Sequence, residues 1–246
     1  MERHSLHPPR DDGGGGGPGA VARRGHGVHL AAWTRPYRLA AGSGVVFHEI
    51  RLFEYPLFRC PPYDLSLANK LAGIIKEHRV DIVHAHYAIP HAIVAMLARQ
   101  VAGRRQARIV TTLHGTDITL VGSHAEFFDL TRHAMEQSDG LTAVSRWLRE
   151  RTGARCALPR PPEVIHNFVD TSRFHPSGRQ GYPSAGEPFH IVHASNLRPV
   201  KRIADVVRVF SEVQKQVPAR LTILGEGPEK GLAEELVADG FQVMVY

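Results

Sequence analysis

Apolar and polar positions along this chain follow two periods, and the switch between them marks its elements. Short apolar or β-branched runs at Val28–Ala32, Val45–Ile50, Leu52–Tyr55, Val80–His84 and Ile109–Leu113 predict strands. So do Leu141–Val144, Val164–Ile165, Phe189–Ala194, Ala219–Leu224 and Phe241–Val245. Between many of them, apolar residues recur every three or four positions. Leu65, Ala68, Leu71, Ala72 and Ile75 share one face of a helix over Asp64–Glu77, with Asp64 as its N-cap. Ile89–Val101 is Ala-rich and apolar enough to predict a largely buried helix. Ala125–Gln137 predicts a third helix, and Ser145 caps a fourth that carries Trp147 and Leu148. Ile203, Val206, Val207, Phe210 and Val217 line one face of another helix over Lys201–Val217.

Strand–helix alternation of this kind predicts parallel sheets covered on both faces, with right-handed crossovers. The fold class is therefore α/β, and the chain divides into four stretches. Residues 1–24 are a Gly/Pro-rich, disordered or aberrant segment; the glycines Gly13–Gly17 lack the preceding strand that a phosphate loop needs. Residues 25–170 predict a first Rossmann-like domain and 171–187, rich in Ser, Gly, Pro and charge, a linker. Residues 188–246 begin a second parallel unit, which two and a half βα units leave incomplete, with an open edge.

Composition narrows the function classes only modestly. The 246 residues are 43% hydrophobic and 22% charged, with no apolar run long enough to span a bilayer and no signal-peptide core after Met1. Cys60 and Cys156 make neither a disulfide framework nor a metal motif, and a cytoplasmic location is expected. The net charge of +6 favours anionic partners, but the arginines are scattered without interleaved aromatics, so no nucleic-acid partner is expected.

The candidate chemistry sits beyond the strands' carboxyl ends, where open α/β sheets hold their sites. His114-Gly115-Thr116-Asp117 follows the strand that carries Thr111 and Thr112. His114 can serve there as a base, a polar contact or a structural histidine; Gly115 would permit close approach of a ligand, and Asp117 would cap the next element. His84, His86 and His91, with Tyr87 between them, have the spacing H-x-H-x4-H. No acid or cysteine completes a metal set nearby, which leaves hydrogen-bonded histidines at a strand end or substrate contacts; no metal is expected. In the second unit Arg198 and Lys201, beside Asn196, stand at a helix start, where they oppose the helix dipole unless a phosphate binds. Gly225-Glu226-Gly227 turns into the next helix. Polar strand ends in two sheet units predict a cleft that takes a nucleotide-bearing donor and a small polar acceptor.

The motifs H-A-H-Y-A-I-P-H-A (84–92), T-T-L-H-G-T-D-I-T (111–119), D-G-L-T-A-V-S (139–145), I-H-N-F-V-D (165–170), H-A-S-N-L-R-P-V-K-R (193–202) and G-E-G-P-E (225–229) resemble the family-4 GT-B glycosyltransferases. The combination of the first two with P-P-Y-D-L-S-L-A (61–68) most resembles the members that open bacillithiol biosynthesis. The resemblance implies a GT-B fold of two Rossmann-like domains facing a cleft. It also implies a metal-free retaining transfer of N-acetylglucosamine from UDP-GlcNAc to the hydroxyl of L-malate, without a cofactor. It assigns catalytic roles to His114, near the reacting sugar carbon, and to Arg198 and Lys201, on the UDP diphosphate. Tyr87 and Thr112 would be acceptor-side residues; Asn196 and Gly227 would belong to the donor site. Partners would be a UDP-sugar and a small dicarboxylic acid, with homo-oligomerisation left open. The chain departs from the family pattern before Arg24 and lacks the acidic E-x7-E element of the second domain, so a fragment is expected. The alternatives are a GT-B transferase with another small acceptor and a non-catalytic UDP-sugar-binding protein.

Overall fold

A computed structural model describes residues 22, 25–37, 39, 41–52, 61–119, 121–175, 183, 186–238 and 243–245. The glycine run, Cys60 and most of the strand expected at Leu52–Tyr55 lie outside them; Leu52 itself is not in a strand. The chain separates into two compact units, Met1–His175 and Pro176–Tyr246.

The first unit opens with β1 (Val28–Ala32) and β2 (Val45–Glu49), a parallel pair with Val28 opposite Val45 and Ala32 opposite Glu49. Helix α1 (Tyr63–Glu77) follows. Asp64 is inside its first turn rather than at the N-cap, which is Pro62; the carboxylate there still favours the helix's positive end. Leu67 and Ala68 of α1 pack with Ile50 and Val94 in a small satellite core.

A four-stranded parallel sheet in the order β3-β4-β5-β6 is the centre of this unit. Its strands are β3 (Ile82–His86), β4 (Arg108–Leu113), β5 (Gly140–Ala143) and β6 (Glu163–Val164). β3 begins two residues later than the apolar run predicts. The Val80 amide donates back to the Ile75 carbonyl at 3.3 Å, and Arg79 takes φ +51°, so that run still closes α1. Helix α2 (Ile93–Ala102) is likewise shorter than predicted: Ala88–Ala92 forms a wide turn in which Ile89 is extended, ahead of a cis Ile89–Pro90 bond. The remaining helices are α3 (Thr116–Thr119), α4 (Ala125–Glu136) and α5 (Arg146–Cys156). Ser145 caps α5 as expected, its Oγ accepting from the Leu148 amide at 3.1 Å.

Ile109, Leu113, Val83, Ala85 and Ala143 of the sheet pack with Ala95, Ala98, Met135 and Leu148 of the helices in the main core. Each such large side chain contributes about 1.5–3 kcal/mol by leaving water. At the amino ends of the strands, Asp139 accepts from Arg99 (2.9 Å), Arg108 (2.7 Å) and the Ile109 amide (2.9 Å). Burial would raise its pKa, but these donors hold it below the usual carboxylate range. That polar clasp leaves the opposite, carboxyl end of the sheet to carry the loops.

The second unit holds β7 (Phe189–Ala194), β8 (Ala219–Leu224) and β9 (Val243–Val245), parallel and in that order. Helix α6 (Ile203–Gln214) and helix α7 (Lys230–Ala238) complete its described elements. Leu197, Ile203, Val207, Phe210, Leu221 and Ile223 form its core. α6 does not start at Lys201: Pro199–Lys201 is a 3-10 turn, and Arg202 at φ +53° separates it from the helix.

Candidate active site

In the first unit the carboxyl ends of β3 and β4 bring His84, His86, Tyr87, Thr112 and His114 together. Register does this: His84 lies opposite Val110 and His86 opposite Thr112, so the polar side chains of both strands reach one edge. The His86 and His114 rings share a hydrogen bond, Nδ1 to Nε2, at 2.8 Å. His84 Nε2 and the Thr112 hydroxyl are 2.7 Å apart, and that hydroxyl is 2.8 Å from Thr142 Oγ1 on β5. The His84 and His86 rings stack at 4.5 Å, and the Tyr87 ring lies 4.9 Å from His114. His91 is turned back, its Nδ1–H donating to the His86 carbonyl at 2.6 Å, which holds the start of the turn after β3.

The His84, His86 and His114 rings are neutral near pH 7. Burial first, then His84, His114 and His91, lowers the His86 pKa to about 4. Burial also lowers His114, against the opposing pull of Asp117, and burial with His114 lowers His84. The result is a run of uncharged donors and acceptors rather than a cationic patch, suited to polarising and orienting hydroxyl groups.

Asp117 holds this arrangement and is not a helix cap. It is 2% exposed, inside α3, and its two oxygens serve two loops. Oδ1 accepts from the Ala88 amide at 2.7 Å, and Oδ2 accepts from the His114 amide at 2.9 Å. One carboxylate thereby fixes the ends of β3 and β4 together. Gly122 packs so closely on the Asp117 carbonyl that a side chain there would overlap it. At Gly115 a Cβ would meet open space, and φ is +114°, a backbone conformation that side-chain-bearing residues rarely adopt. Tyr87 also takes positive φ, +77°, while its amide donates to the Thr112 carbonyl at 2.9 Å. Such backbone costs about 1–3 kcal/mol and is held by its surroundings. Thr112, 8% exposed, sits beneath the cluster as a brace for His84.

In the second unit the loops after β7 and β8 are laced to each other. Leu197 N–H donates to the Glu226 carbonyl at 2.8 Å, and Glu229 N–H donates to the Leu197 carbonyl at 2.9 Å. Gly225 and Gly227 have φ of +148° and +156°, and a Cβ on either would overlap the Ser195 or Leu197 backbone. This tight contact accounts for both glycines. Arg198 and Lys201 are exposed beside them. With the Asn196 amide oxygen turned toward it, the Arg198 guanidinium donates at 3.0 and 3.3 Å, and the Lys201 amide donates to the Arg198 carbonyl at 2.8 Å. The two cations thus stand together on a short, internally bonded turn. Neither cation belongs to α6, so neither opposes its dipole as the sequence predicts; Asp205 in the first turn of α6 pairs with Arg202.

The partners of Thr112 and the bridging role of Asp117 escaped sequence reasoning, since Thr142 and Ala88 lie 30 and 29 residues away. The available signal was an Asp three residues after a strand-end His in a loop too short to need a separate cap.

The model of Glycosyltransferase Family 4 matches residues 19–173. The chain is 40% identical over 214 residues to N-acetyl-alpha-D-glucosaminyl L-malate synthase of Bacillus anthracis, an alignment covering 85% of this chain and 56% of that one. It is 28% identical over 185 residues to a GDP-mannose-dependent alpha-(1-6)-phosphatidylinositol monomannoside mannosyltransferase of Mycolicibacterium smegmatis, covering 71% and 46%. The chain thus spans about half the length of these relatives. Among solved structures it resembles the apo lipopolysaccharide outer core galactosyltransferase WaaB (TM-score 0.52, 16% identity, 82% of this chain and 52% of that one). It also resembles a TarM mutant of S. aureus (TM-score 0.52, 15% identity, 73% and 36%). These likenesses show the GT-B fold.

Proposed function

The chain belongs to glycosyltransferase family 4, and from that premise we propose that it moves N-acetylglucosamine from UDP-GlcNAc to the hydroxyl of L-malate, with retention at the anomeric carbon. The observation that carries this reading is the 40% identity to the malate synthase over 85% of the chain. Its product would be the first intermediate of bacillithiol biosynthesis, made in the cytoplasm. Among the described residues no helix is long and apolar enough to cross a membrane.

The first unit, as the acceptor-side domain, supplies His114, Tyr87 and Thr112. His114 presents a neutral ring near the reacting sugar carbon, and its partner His86 keeps it oriented. Tyr87 offers a phenol and a ring face beside it. Thr112 acts on the acceptor side through His84. The second unit, as the donor domain, supplies Arg198 and Lys201 for the diphosphate, with Asn196 aligning Arg198 and Gly227 keeping the loop close. Two cations on the departing UDP stabilise charge where it develops, usually the largest single contribution to such catalysis. The donor phosphate then accepts the malate hydroxyl proton as the new bond forms on the face that UDP leaves.

A second reading, another donor or acceptor on the same fold, is favoured by the 28% identity to a GDP-mannose-dependent enzyme. Incubation with UDP-GlcNAc or GDP-mannose, each with L-malate or inositol, separates them by product mass. The proposal expects N-acetylglucosaminyl malate alone; a mannosylated product, or sugar on inositol, overturns it.

A further inference from the structure

A second histidine cluster lies away from the candidate active site, in the β1–β2 region. His29 is opposite Val46 in the parallel register, and His48 is two residues further along β2, so both imidazoles stand on one face of the pair. His78 follows the last residue of α1, and its ring meets that face. Its centroid is 4.1 Å from that of His29 and 5.6 Å from that of His48, and the His29 and His48 rings are 5.2 Å apart. One ring nitrogen from each histidine falls within 4.8 Å of the other two. Residues 29, 48 and 78 are far apart in the chain, so no local spacing announces them.

We propose that His29, His48 and His78 form a zinc site that ties the β1–β2 pair to the carboxyl end of α1. Three imidazoles select a borderline ion such as Zn2+ over Mg2+ or Ca2+. Around a tetrahedral zinc, with Zn–N near 2.0–2.1 Å, ligand nitrogens stand about 3.3 Å apart. Here His29 Nδ1 and His48 Nε2 are 2.9 Å apart and all three nitrogens lie within 4.8 Å of one another, so small side-chain rotations that part the first two and bring in His78 reach that spacing. The proton they now share moves to the far nitrogen of its ring, a change of tautomer without net release.

The surroundings suit a cation. The Glu77 carboxylate lies 3.9 Å from His78 Nε2 and puts a negative charge beside the cluster, leaving the fourth position to solvent. The site also stands at the negative end of a fifteen-residue helix. Burial is the main cause holding His29 and His48 below the usual histidine range, so both rings are neutral, the ligating form. His78 adds to this at both rings, His29 and Lys70 add at His48, and Glu77 opposes it. Lys70 is the cation that acts on His48, and the Glu77 carboxylate opposes it. A two-stranded sheet is marginal by itself, which gives such a tie a structural purpose.

Titration of the tag-free 246-residue chain with Co2+ tests this. The expected result is the visible absorption of four-coordinate cobalt, saturating at one equivalent, displaced by Zn2+, with a higher Tm when zinc is present. His29→Asn and His78→Ala are each expected to weaken binding at least ~10-fold, while His175→Ala leaves it unchanged. His78 is exposed, so its variant decides the matter should His29→Asn fail to fold. Absence of the bands, bands that survive His78→Ala at full affinity, or bands lost only with His86→Asn overturn the proposal.

Discussion

Acidification singles out His86. Its pKa of about 4 lies below the ordinary 6.5, chiefly because its ring is buried among other imidazoles. The unfolded chain therefore takes up the proton first. The stabilisation is fully present above about pH 6.5 and is lost as pH falls toward 4. At ~1.36 kcal/mol per pH unit, the whole gap is worth roughly 3 kcal/mol. Of that, roughly 2 kcal/mol is gone at pH 4.5 compared with pH 7. His86→Asn removes the titrating ring while its amide keeps a group near the position that bonds His114. The shifts of His84 and His114 arise from burial and other neighbours, so they persist in the variant. Urea unfolding followed by tryptophan fluorescence reports on the first unit, which holds both Trp33 and Trp147. The parent is expected to lose roughly 2 kcal/mol more than His86→Asn between pH 7 and pH 4.5. Equal losses would refute the picture of a buried neutral imidazole.

Three further outcomes follow from named contacts. Asp117→Asn keeps one acceptor where two amides need two, so unfolding free energy falls by about 1–3 kcal/mol, and the backbone amides of Ala88 and His114 exchange faster with solvent. Gly225→Ala places a methyl group on the Ser195 carbonyl; a loss of at least ~2 kcal/mol, seen as early melting of the second unit by hydrogen exchange, is expected, and wild-type protection would contradict it. Lys201→Ala, at an exposed position, changes stability by less than ~0.5 kcal/mol but raises the KM for the UDP-sugar about tenfold or more, the worth of a charged hydrogen bond.

The fold was readable because its signals are local. Ile109–Leu113 and Ala219–Leu224 are β-branched runs long enough for one assignment, and Ser145 has a side chain that only a cap explains. Boundaries moved where a backbone device intervened: the αL residues Arg79 and Arg202 and the extended Ile89 each displaced an element by a few residues. His114, Tyr87 and Thr112 were legible as strand-end residues, and β3–β4 pairing brings them together. What stayed hidden depends on pairs distant in sequence: Thr142 beneath Thr112, Asp117 reaching Ala88, and the His29, His48 and His78 trio. Gly115 and Gly227 show a subtler limit. A glycine announces an unusual backbone or a close neighbour, but which of the two, and whose atoms, needs the packed loops.

The most direct test of the central claim is UDP released from UDP-GlcNAc by the purified chain, with and without L-malate, alongside His114→Ala. The account predicts release that requires malate and drops sharply in the folded His114→Ala protein, with the sugar's anomeric configuration retained. Release that ignores malate, release unchanged by the loss of His114, or no release from the folded chain would contradict it.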